Sequence, residues 1–314
     1  MKYYGCVLLS LLASCAQPGP KPATSAVGPS TLNVADAAIA GGDPTMALSV
    51  SQSVLQTDPN NVDALIHEGD AYYALQRCPD SVAAYTLALK FDPKSSAAET
   101  GLGRCDIKTD PKTAEAALEQ AVQDDPTNAA AWNDLGIARD LQGNFAGAIN
   151  PYQQALLAQP GLIAAEVNLG LSLALSGNGA AALQYLGPLA TAPDATPKIR
   201  QNYAAALVAS GRMADARQVL SIDLPPDQVI AALSGFTSVI AASQSALPAN
   251  IPAAPPVVLP AVPRTAFASP MIPVQNAALA PVALMAGASK TQPSGAAHSA
   301  SLQRNAEVQS PSLN

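Results

Sequence analysis

The sequence predicts an all-α solenoid: about six antiparallel helical hairpins over residues 31–224, closed by a capping helix over 225–243. Three observations carry that reading. Pro59, Pro93, Pro126 and Pro160 stand 34, 33 and 34 residues apart. Gly69, Gly103, Gly136 and Gly170 keep the same step. Between these marks apolar residues recur at helical spacing, and helical periodicity alone would not also hold one phase through some 190 residues.

The chain opens with MKYYGCVLLSLLASC, a single Lys followed by a short apolar stretch from Val7 to Leu12 and small residues before Cys15. A charged start, an apolar core and a small-residue exit predict a secretory signal over residues 1–15, since a membrane span needs about 20 apolar residues. The closing Leu12-Ala13-Ser14-Cys15 resembles the lipobox of bacterial lipoproteins, which implies acylation of the Cys15 thiol. An ordinary signal cut nearby is the alternative. Several acyl chains give stable anchoring because each buried CH2 contributes about 0.8 kcal/mol. Residues 16–30, with Pro18, Pro20, Pro22 and Pro29 among Gly, Ser and Thr, read as a flexible tether. Ala16 after the cysteine resembles an outer-membrane address, so the expected location is a periplasm-facing lipid anchor in the outer membrane.

The fourth hairpin is the clearest. AWNDLGIARDLQGNFAGAINPYQQALLAQP places Trp132, Leu135, Gly136, Gly143, Phe145, Ala148, Tyr152, Ala155 and Pro160 at the positions of the tetratricopeptide repeat (TPR), which it resembles. Only Arg139 departs, where an aromatic is usual. Gly136 and Ala148 let two helices approach closely, Trp132, Tyr152 and Ala155 fill the crossing, and proline ends the second helix. Weaker copies hold the register: Ala35, Gly42, Ala47, Val54 and Pro59 first; Leu65, Gly69, Tyr85 and Pro93 second; Leu102, Gly103, Leu118 and Pro126 third, a residue shorter; Gly170, Gly177 and Leu186 fifth; Tyr203, Gly211 and Leu220 sixth. The resemblance implies a right-handed superhelical TPR solenoid. Asp58, Asp92 and Asp125 recur because turns favour them, as structural punctuation.

Apolar residues at helical spacing in DQVIAALSGFTSVIAAS predict a last helix that covers the end of the solenoid. From Leu247 on, eleven prolines among Ala, Val and Ser break every helical period, so residues 244–314 read as an extended or disordered Pro/Ala-rich tail. The net charge is −7, and the tail has three bases against one acid, leaving −9 for the rest. No basic stripe offers itself to DNA or RNA, and no nucleic-acid partner is expected.

Cys6 leaves with the signal and Cys15 is taken by lipid, which leaves Cys78 and Cys105. One begins a second helix and the other lies late in the first helix of the next repeat. Antiparallel packing brings such positions together, so a disulfide between adjacent repeats is expected in an oxidising compartment, with two free core-like thiols as the alternative. His67 and His298 have no partners at metal-ligand or catalytic spacing, and no phosphate loop, nucleophile elbow or zinc motif is present. No enzymatic activity, metal or cofactor is expected.

What remains is a binding surface. In TPR proteins the first helices line the concave face, at the second, fifth, ninth, twelfth and thirteenth positions of each copy. Carried onto this chain, the rule selects Ile66, Asp70 and Tyr73 in the second repeat and Arg104 and Ile107 in the third. It adds Asn133, Ile137 and Leu141 in the fourth and Val167, Leu171 and Leu175 in the fifth. The set is more aliphatic than charged and implies an amphipathic helix or extended apolar segment as guest. Some of these residues alternatively pack against the next repeat.

The end of the solenoid, GPLATAPDATPKIRQNYAAALVASGRMADARQVLSIDLPPDQVIAAL, resembles the repeat lipoproteins of the tight-adherence (Tad/Flp) pilus system, the TadD family. Pro197, Arg200, Gln201, Asn202, Gly211, Arg212, Asp223, Leu224, Pro225 and Pro226 carry the likeness, which covers about residues 1–235 and leaves out the tail. It implies a membrane-anchored scaffold that binds components of the pilus secretion apparatus. The rival expectation in the same structural class is a TPR adaptor for peptidoglycan hydrolases or polysaccharide export.

Overall fold

The computed structural model describes residues 29–246, and these form thirteen α-helices with no strand among them. They belong to two units, residues 29–169 and 170–246, and each is taken separately. The signal, the lipidation position Cys15, the tether up to residue 28 and the tail from residue 247 lie outside the described residues.

The first unit contains α1 (Pro29–Ala40) and α2 (Pro44–Thr57), α3 (Val62–Ala74) and α4 (Cys78–Phe91), α5 (Ser96–Asp106) and α6 (Pro111–Asp124), α7 (Ala129–Leu141) and α8 (Phe145–Ala158), and the start of α9 (Ile163–Leu175). Each of the four second helices ends two residues before the periodic proline. The cause is visible at the intervening residue. Asp58, Asp92, Asp125 and Gln159 all sit near φ −130°, ψ +90° (φ −136, −129, −136 and −134). A following proline bars that residue from the α region, so the helix must stop there. The aspartates then tie the turn: Asp125 accepts from the Thr127 N–H at 2.9 Å and Asp92 from the Lys94 N–H at 3.2 Å. Helix starts are capped in the same regular way, with Asn61 accepting from the Ala64 N–H and Asn128 from the Ala131 N–H.

Hairpin closure rests on glycine facing a ring. Tyr152 is fully buried, and a Cβ on Gly136 would come within 2.5 Å of its ring. Tyr85, equally buried, is flanked by two glycines, Gly69 of its own repeat and Gly101 of the next, and a Cβ on either would clash with the ring. The turn between the two helices of a repeat needs a left-handed residue. Gly42 and Gly143 supply it in the first and fourth repeats, while Gln76 adopts φ +63° in the second.

In the second unit the rest of α9 is followed by α10 (Gly179–Ala190), α11 (Pro197–Ala209), α12 (Met213–Leu220) and α13 (Pro226–Ala246). The last helix packs on α11 and α12, burying Val229, Leu233, Phe236 and Ile240 at steps of four, three and four, one helical stripe. It begins and ends within a few residues of the predicted cap, running three residues into the expected tail.

Candidate partner-binding surface

In the first unit the first helices of successive repeats touch one another, α3 against α5 and α5 against α7. A hydrogen-bonded polar ladder crosses them. Arg104 on α5 donates from Nε and Nη2 to Asp134 Oδ2 on α7, both at 2.9 Å. Asn133 Nδ2 donates to Asp134 Oδ1 at 3.1 Å, and Asn168 Nδ2 on α9 donates to Asn133 Oδ1 at 3.1 Å. At the other end the Arg104 guanidinium lies 5.8 Å from the centre of the Tyr73 ring on α3, within cation–π range. The Tyr85 hydroxyl donates to Asp70 Oδ1 at 2.7 Å. Burial pushes the Tyr73 hydroxyl up, against the pull of Arg104, and burial with the nearby Asp70 carboxylate raises Tyr85 well above its ordinary range. Both phenols are therefore neutral donors at physiological pH.

The family model for the tetratricopeptide repeat matches residues 32–96 and 108–163. Tetratricopeptide repeats make up these two stretches. No curated protein matches it by sequence. Among solved structures it is similar to PilF of Pseudomonas aeruginosa, at 15% identity over 67% of this chain and 96% of that one, TM-score 0.55. It is also similar to PilW, a widely conserved type IV pilus biogenesis factor, at 21% identity over 62% and 93%, TM-score 0.52. MamA is matched at 25% identity over 58% and 97%, TM-score 0.41. The likenesses to PilF and PilW are likenesses of fold.

The TPR positions selected from sequence divide sharply by exposure. Ile66, Asp70, Tyr73, Arg104 and Leu141 are half-buried and keep accessible surface. Ile107, Asn133, Ile137, Val167, Leu171 and Leu175 are buried. The expected aliphatic lining is thus largely consumed inside the protein, and the members that stay accessible are Ile66, Asp70, Tyr73, Arg104 and Leu141. Leu171 and Leu175 belong to the second unit, the others to the first. The position rule missed Asp134, Asn168 and Tyr85. Asp134 and Asn168 stand at the sixth position of their repeats, which the rule does not visit, and Tyr85 belongs to a second helix.

Cys78 and Cys105 are brought together and are free thiols. His67 meets Asp36 at 3.3 Å. Among the described residues no cluster of His, Cys, Asp or Glu is placed to hold a metal ion, and no helix is long and apolar enough to cross a membrane. The terminal motif finds a structural explanation in the second unit. Arg200 grips Asp223 through two hydrogen bonds, Nε to Oδ2 at 2.7 Å and Nη2 to Oδ1 at 2.6 Å, so its two halves form one bidentate clasp. That hydrogen bonding holds the Asp223 carboxyl below its usual range.

Proposed function

We propose that this chain is a lipid-anchored periplasmic scaffold whose repeats hold a segment of a protein partner during assembly of a Tad/Flp pilus or its secretion channel. The observation that carries the binding reading is the set of accessible positions on α3, α5 and α7. Its aromatic and aliphatic members, Ile66, Tyr73 and Leu141, keep exposed surface. The cation beneath Tyr73 is fixed by Asp134. A surface held in place before contact spends little entropy on binding. The rigid apolar members suit an apolar face of a helix or extended segment, and no bond is made or broken. The lipidation motif ending at Cys15 and the Arg200-to-Pro226 motif support the location and the pathway. PilW, a pilus biogenesis factor, shares the fold and supports the pathway only at that level.

The test is a pull-down from detergent-solubilised envelopes with the tagged mature chain beside Tyr73→Glu/Leu141→Glu. Buried positions such as Ile137 would report folding instead. The wild type should recover a pilus secretin or another assembly component, and the variant should not, at an unchanged unfolding midpoint. Recovery of cell-wall hydrolases instead would overturn the pathway, and equal recovery by the variant would overturn the surface.

A further inference from the structure

Cys78 is the first residue of α4 and Cys105 lies in the last turn of α5, so the pair joins two different repeats. Their contacts are reciprocal. Cys78 Sγ lies 4.0 Å from the carbonyl oxygen of Cys105, and Cys105 Sγ lies 3.9 Å from the carbonyl oxygen of Cys78. Both side chains are partly exposed, so an external reagent can approach.

The two sulfurs differ electrostatically. Cys78 sits at the N-terminal, positive end of a 14-residue helix, which stabilises negative charge that develops there during attack. Cys105 sits at the C-terminal, negative end of α5, which opposes it. Burial and the hydrogen bond with Cys78 push the Cys105 thiol up to about 12. Cys105 directly follows Arg104 in the chain.

We propose that Cys78 and Cys105 form a reversible thiol–disulfide site stapling the second repeat to the third, with Cys78 the attacking thiol and Cys105 the resolving one. The oxidant is an external disulfide. Cys78, as its thiolate, attacks one sulfur of that disulfide and expels the first thiol. Cys105 then gives up its proton and attacks Cys78 Sγ, expelling the second. The protein loses two protons and two electrons, and one disulfide becomes two thiols. The new bond closes a loop across the 27 residues that separate the cysteines. It fixes α4 to α5 whatever partner the accessible positions take, so this site stands or falls independently of the function proposed above.

The probe is oxidised glutathione, applied to the folded full chain carrying Cys6→Ser and Cys15→Ser, with mass spectrometry after alkylation. The expected product is about 2 Da lighter, carries no glutathione and yields a linked Cys78–Cys105 peptide. Its unfolding midpoint should rise by about 5–10 °C and fall back with dithiothreitol. In the Cys105→Ser chain a stable glutathione adduct should accumulate on Cys78, whereas in the Cys78→Ser chain Cys105 should react at least about tenfold more slowly. Two separate glutathione adducts, or two thiols still open to alkylation while the protein is folded, would overturn the staple. Equal rates in the two single variants would overturn the order of attack.

Discussion

Glu99 on α5 and Asp134 on α7 are both buried carboxylates on the first helices of adjacent repeats, yet their surroundings are opposite. Asp134 receives two N–H groups from Arg104 and a third from Asn133. Glu99 is 8% exposed, its Oε2 has no hydrogen-bond partner, and its charged neighbours are the like-charged Asp124 and Asp92. Burial, then those two carboxylates, push Glu99 up to about 7. Depth alone therefore does not decide whether a repeat tolerates a charge. The partner does, and for Asp134 the partner comes from the preceding repeat, so the ion pair is also an inter-repeat bond.

The comparison breaks most severely if the partner is removed. Arg104→Leu leaves Asp134 buried and uncompensated, and we expect a loss of about 3 kcal/mol in chemical denaturation, the cost typical of breaking a buried pair from one side. Asp134→Asn/Arg104→Leu should recover part of that loss, because the stranded charge is gone. A loss for Arg104→Leu no larger than a surface substitution gives would show that Arg104 is not what compensates the buried Asp134.

Glu99→Gln should act with the opposite sign. Because the folded-state value of Glu99 is raised above that of an unfolded glutamate, the native state holds the extra proton between about pH 4.5 and 7, and stability falls as pH rises through that window. The substitution removes the charge and should stabilise by about 1–2 kcal/mol at pH 8, the new amide's own unmet hydrogen bonds offsetting part of the gain. At pH 5 the difference should vanish. Denaturation curves at the two pH values check it, and an equal effect at both would mean Glu99 is not the group that titrates.

How much of this was legible in the sequence follows from which interactions repeat. The pre-proline aspartates and the helix glycines Gly69, Gly103, Gly136 and Gly170 recur every 33 or 34 residues, so one-dimensional phase sufficed to place the hairpins. Gln76 hid a left-handed turn because nothing in a glutamine announces a positive φ; only the register against Gly42 and Gly143 points to it. The surface was less legible. A position rule selects which way a side chain leaves its helix, but not whether a neighbour then covers it, and so Ile137 and Leu171 were read as lining although they are buried. The Arg104–Asp134 pair joins residues 30 apart that occupy different repeat positions, and no periodic signal connects them.

Two departures from the repeat pattern explain each other in the same way, and they give the smallest of the expected effects. Pro151 lies inside α8 and has no N–H to donate to the carbonyl of Gly147, four residues earlier. Arg139, where the repeat usually carries an aromatic, donates from Nη1 to that Gly147 oxygen at 3.2 Å. It also donates from Nε to Glu115 at 2.7 Å and from Nη2 to Glu119 at 2.8 Å on α6. Burial raises Glu115, but the hydrogen bonds from Arg139 and Gln142 outweigh it and hold the carboxyl below its ordinary range. The stability it contributes is then present above the ordinary glutamate value and lost as pH falls through the lowered one. Unlike Asp134, these carboxylates keep solvent, with 23% and 45% of their side-chain surface exposed, so water replaces much of what a mutation removes. Arg139→Met should therefore cost about 1 kcal/mol at pH 7, roughly a third of the loss expected for Arg104→Leu. Part of that cost belongs to the Gly147 carbonyl and should return when Pro151→Ala supplies an N–H. A double-mutant cycle on Arg139 and Pro151 measures the share: positive coupling of a few tenths of a kcal/mol is expected, and strict additivity would mean the arginine serves only the glutamates.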